Sequence, residues 1–241
     1  MKLKALAAIA ALLLAAPAWA QDASQDEVVV SGFRASPRAA VYAALPVPAI
    51  SLSRRADSVI IALTVASDSR EAGVRQQEIQ RTLQDIAQRA RGGAVSLALQ
   101  QDDVLRPFTV DLAMRLLSPG PRPDTSQVTV QMRTAVAGAD DTLDAARQRF
   151  VAFVRAISRT GRASADISSD VGITLKDIPS YRAPLIQAIT ADAAATAQSL
   201  GSNYRAELSG MESPVAWRKS GDLMLTLFIP YELRIVAADS H

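Results

Sequence analysis

The chain has 241 residues, with 26 Lys and Arg against 24 Asp and Glu, one His and no Cys. Without cysteine there is no disulfide, no thiolate catalysis and no lipid-anchored N-terminal Cys. The one histidine, His241, stands at the last position, too little for a zinc site or a Ser-His-Asp triad.

The first twenty residues read as a Sec signal: Lys2 and Lys4 open it, an apolar stretch runs from Ala5 to Ala16, and Ala18-Trp19-Ala20 supplies the small-x-small cleavage pattern. The apolar stretch is shorter than the ~20 residues needed to cross a bilayer. The expectation is an export signal over 1–20, cleaved to give a periplasmic protein with no integral span, with association to the outer membrane left open. Cleavage removes two lysines and leaves 24 cations against 24 acids. The mature chain is then formally neutral, and a nucleic-acid partner loses its main electrostatic support.

Residues 21–48 read as an N-terminal strand near 28–33 followed by an irregular connection, because Pro37, Pro46 and Pro48 each hold the preceding residue extended. SVIIALTVA then offers Val59, Ile61, Leu63 and Val65 on one face and Ile60 and Ala62 on the other, a strand covered on both sides. Further strands are expected over 94–100, over 109–117 (Val110, Leu112, Met114 and Leu116 on one face), over 127–136 and over 162–176. In 127–136, Val128, Val130, Met132 and Val136 point in, with Thr129, Gln131 and Arg133 out. In 162–176, Ile167, Val171, Ile173 and Leu175 share one side.

Three helices interleave. Residues 70–91 carry Ile79, Leu83, Ile86 and Ala90, with Asp68 and Glu71 as a capping pair and Gly92 beyond the end. Residues 141–159 carry Leu143, Ala146, Phe150, Val154 and Ile157. Residues 181–200 carry Leu185, Ile189, Ala193, Thr196 and Leu200. The proline-rich SPGPRPDTS, 118–126, could divide the body 49–237 into lobes 49–117 and 127–237. The fold class expected is α+β, antiparallel sheets with three amphipathic helices packed on them.

The order of elements resembles the SIMPL family of bacterial envelope proteins. Three stretches carry the resemblance: AISLSRRADSVIIALTVASDSREAG from residue 49, the Ala-rich SYRAPLIQAITADAAATAQSLG from residue 180, and DLMLTLFIPYELRIV from residue 222. The last reads as a two-sided strand, central in its sheet. The chain departs from the family where Arg55-Ala56-Asp57 stands in place of an Ala-Pro-Asp triplet. The resemblance implies an envelope protein without catalytic residues, acting by binding or by self-assembly into a homo-oligomer or with an envelope partner. EVVVSGFR, 27–34, also resembles the opening of TonB-dependent outer-membrane receptors. The three helices and 5% aromatic content that follow exclude a full barrel, leaving a plug fragment as one alternative and an enzyme of unrecognised type as another.

No G-x-S-x-G or P-loop pattern occurs, and no catalytic, cofactor or metal residues are assigned. Asp102-Asp103 reads as a turn between strands and Asp140-Asp141 as a helix cap with a negative first turn. Trp217 beside Arg218, placed between the last two strands, and Val28, Val29 and Val30 are the interface candidates. Tyr181, Tyr204 and Tyr231, each followed closely by an arginine, read as sheet and helix-end packing.

Overall fold

The computed structural model describes residues 28–30, 46–101 and 104–238. It is an α+β fold with antiparallel sheets. The elements in chain order are β1 (Val28–Val30), β2 (Leu52–Arg55), β3 (Ser58–Ser67), α1 (Ala72–Ala90), β4 (Val95–Gln101), β5 (Val104–Pro107), α2 (Val110–Arg115), β6 (Ser118–Pro119) and β7 (Ser126–Ala135). They continue with α3 (Leu143–Arg155), β8 (Ala163–Leu175), a 3-10 turn (Ile178–Tyr181), α4 (Arg182–Ser199), β9 (Tyr204–Ser209), β10 (Ala216–Lys219), β11 (Met224–Phe228) and β12 (Glu232–Ala237). The segment 1–20 read as an export signal, the end of the expected 28–33 strand, most of the 35–49 connection, Asp102-Asp103 and His241 lie outside the described residues.

The main sheet runs β1-β8-β3-β7-β4-β5, with β6 also paired to β7. β3 is its centre, and its burial on both faces follows from its near-continuous apolar sequence. Val59, Ile61, Leu63 and Val65 are fully buried, and Ile60 and Ala62 on the opposite face are nearly so. The first set joins Ile79, Leu83 and Ile86 of α1 and Phe150 and Val154 of α3 in one core, so both helices lie on that face. The apolar stripes read from sequence therefore fall where a 3.6-residue period puts them. Strands from both sides of the SPGPRPDTS segment share this sheet, and the segment itself forms β6 and the turn that leads into β7.

Opposite β3, the pairing of β8 is not uniform. Ile61 faces Val171 but Leu63 faces Ile167, so β8 bulges by two extra residues there. Asp170 N–H closes on Ser168 Oγ at 3.1 Å within the bulge, where Asp170 is exposed, and Asp166 is exposed just before it. β1 pairs only with the far end of β8, Val28 to Leu175 and Val30 to Ile173.

Arg55-Ala56-Asp57 forms a corner between sheets. β2 belongs to a three-stranded sheet, β10-β11-β2, and the chain passes from it directly into β3. Ala56 N–H still donates to Leu223 O of the small sheet at 2.8 Å, while Asp57 N–H donates to Thr174 O of β8 at 2.9 Å. The Asp57 carboxylate accepts Lys176 N–H at 2.8 Å, closing the corner.

Four expectations need correction. Residues 109–117 are not a strand: α2 forms instead, because Thr109 Oγ1 caps it by accepting Leu112 N–H at 3.1 Å. Asp111 in its first turn and Arg115 in its last suit the helix dipole. A short apolar run with hydrophobics at 110, 113, 114 and 117 fits a helix as well as a strand. Asp68 and Glu71 do not cap α1: Glu71 holds the N-cap position without a side-chain cap bond, and Asp68 turns away to Arg162. DLMLTLFIPYELRIV is not one central strand. Pro230, with no N–H to give, falls between β11, central in the small sheet, and β12, which pairs only with β9. Gln131, read as solvent-facing, is buried.

Candidate functional site

The most densely bonded charged group is Asp141. Thr142, one residue on, takes the cap of α3, its Oγ1 accepting Ala145 N–H at 3.1 Å. Asp141 is thereby left to bind other partners. Its carboxylate accepts Arg149 Nη2 at 2.7 Å and Nη1 at 3.1 Å, Ala137 N–H at 2.8 Å and Thr142 N–H at 3.0 Å. The Arg149 guanidinium, followed by the Ala137 N–H, holds its pKa down to about 2. Arg149 also donates to Thr134 Oγ1 and Ala135 O of β7, and Arg55 of β2 donates to the Asp141 carbonyl. Every oxygen of Asp141 is occupied by the protein itself, so the pair fastens α3 to β7 and leaves nothing for a substrate. Asp140 takes no part in these bonds.

A second polar cluster sits where β3 runs into α1. Glu78 is buried, and its Oε2 accepts Ser67 Oγ at 2.5 Å and Ser69 Oγ at 2.8 Å. The Ser67 hydroxyl, supported by Ser69 and Arg162, keeps its pKa below the ordinary value against the opposing effect of burial. Asp68 and Arg162 make a bidentate pair at 2.7 and 2.9 Å beside it. Gly161 presses on Glu78 from the other side. Its φ is +58°, and a Cβ built there would stand 2.1 Å from Glu78 Oε1. Gly161→Ala is therefore expected to cost about 2 kcal/mol through left-handed strain and the displaced carboxylate. Urea unfolding measures it; an unchanged midpoint would show that Glu78 moves freely. Both serines are buried with the carboxylate they bind, Ser67 at 1% exposure.

Among the described residues, no three His, Cys, Asp or Glu are gathered to hold a metal ion. No helix among them is long and apolar enough to cross a membrane, which says nothing of a β-barrel.

The interface candidates fall apart in space. Trp217 lies within β10 rather than between strands. It faces Leu227 and packs, half-buried, on the core. Arg218 stands opposite Thr226 in the same ladder. Val28, Val29 and Val30 pair with β8 of their own chain.

The surface that sequence reading passed over is the outer side of α4. Ala183, Gln187, Thr190, Ala191, Ala194 and Gln198 are exposed along it, and no exposed position of this helix is charged. Arg182 at its start is spent on the carbonyls of Met211 and Ser213. By contrast α1 exposes Arg81 and Arg89, and α3 exposes Asp144, Arg147 and Arg155. Just past the end of the helix Leu200 is 55% exposed, and Tyr204 at the start of β9 is 46% exposed. They are two of the three large hydrophobics that stand exposed among the described residues, the third being Val74. Tyr204 is thus not packed as its sequence setting suggested, while Tyr181 is half-buried with Arg54 5.3 Å above its ring.

No family model matches the chain, and neither a curated protein nor a solved structure matches it.

Proposed function

We propose that the chain is an exported, SIMPL-like cell-envelope protein that works by self-association rather than by catalysis. The uncharged face of α4 supports this reading. A helix of 18 residues is about 27 Å long. Surfaces of soluble proteins seldom leave such a length without charge unless something covers it.

The occupant proposed is a second copy of the same face. An uncharged surface meets itself without like-charge repulsion, and a two-fold contact needs one self-complementary patch. With α4 antiparallel to its mate and the axis near Ala191, the exposed Gln198 of one copy falls over the exposed Pro184 of the other. Alanines at the crossing permit close approach of the backbones, and Gln187 and Gln198 supply amides that can pair across it. The apolar N-terminal segment with its Ala18-Trp19-Ala20 pattern supports export, and a mature N-terminus at Gln21 by mass spectrometry checks that part separately.

Light scattering after size exclusion should give a concentration-dependent dimer or higher species for the mature protein. Ala191→Glu should reduce it to monomer with unchanged circular dichroism, since the position is exposed and glutamate suits a helix. A wild-type protein that stays monomeric at every concentration would end the self-association reading. An oligomer indifferent to Ala191→Glu would keep association and move its surface elsewhere.

A further inference from the structure

We draw no further inference here: the strongest candidate, the groove of about 520 Å3 between the first turn of α1 and the 117–126 hairpin, has its inner arginine, Arg75, already bound to Ser126 Oγ and to the carbonyls of Ser69 and Arg70, and beyond that it offers only a helix N-terminus with nothing in the structure to show a ligand.

Discussion

Phe150→Ala is expected to lower the stability of the protein by about 3–5 kcal/mol. Phe150 is fully buried, projecting from α3 into the core that α1 and β3 share with it. Truncation removes the transfer energy of the ring and leaves a cavity that the rigid sheet beneath cannot close. For a chain of this size the thermal midpoint should fall by roughly 10 °C. Urea unfolding should show a lower midpoint at an unchanged slope. Ala152→Ser, on the exposed side of the same helix, should change little. A loss below about 1 kcal/mol at Phe150 would mean that α3 does not pack on the sheet as described.

Asp141→Asn keeps the shape of the side chain and removes its charge. The Arg149 guanidinium then faces a neutral amide, and one of the two donating N–H groups, from Ala137 or Thr142, meets an NH2 instead of an oxygen. Leaving a partly buried charge without its counterion is expected to cost about 2–3 kcal/mol at neutral pH. The pH dependence carries the diagnosis. Folded Asp141 titrates at about 2, whereas an unfolded aspartate titrates near about 3.9. A depressed folded pKa gives stability that is complete above the unfolded value and drains as pH falls through the folded one. The wild-type and variant stability curves should therefore run parallel from pH 7 to about 5 and converge as pH approaches about 2. A gap that stays constant across that range would show that the charge of Asp141 contributes nothing.

Where a single pattern dominated, the sequence disclosed its structure. β3 is apolar almost throughout, β7 alternates, α1, α3 and α4 repeat their apolar residues at helical spacing, and those patterns place Leu63, Met132, Ile79, Phe150 and Ile189 in the core. Short segments failed where two periods fit equally. Val110 to Leu117 supports either, and a threonine hydroxyl decided it. Pro230 was visible and is a strand breaker; the unbroken hydrophobicity around it concealed the change of sheet. The polar clusters were not legible, since Asp141 meets Thr142 locally but Arg55 from 86 residues away, and Arg162 reaches Asp68 across 94. Such partners are brought together only by the sheet order. The α4 face was legible in principle. Its lack of charge can be read directly from IQAITADAAATAQSLG once the buried positions are known, with Asp192 half-buried among them.

The bulge in β8 also shapes the outer rim of the main sheet. Among the described strands only the three residues of β1 lie along the outer side of this 13-residue strand. A flat rim of that length would template the addition of foreign strands and lead toward fibres. Two supernumerary residues throw the rim out of line, with the exposed Asp170 inside the distortion and the exposed Asp166 just before it. A strand arriving there finds its ladder interrupted and its approach charged. On this rim the main sheet is thereby guarded against edge-to-edge growth, while its opposite border is the four-residue β5.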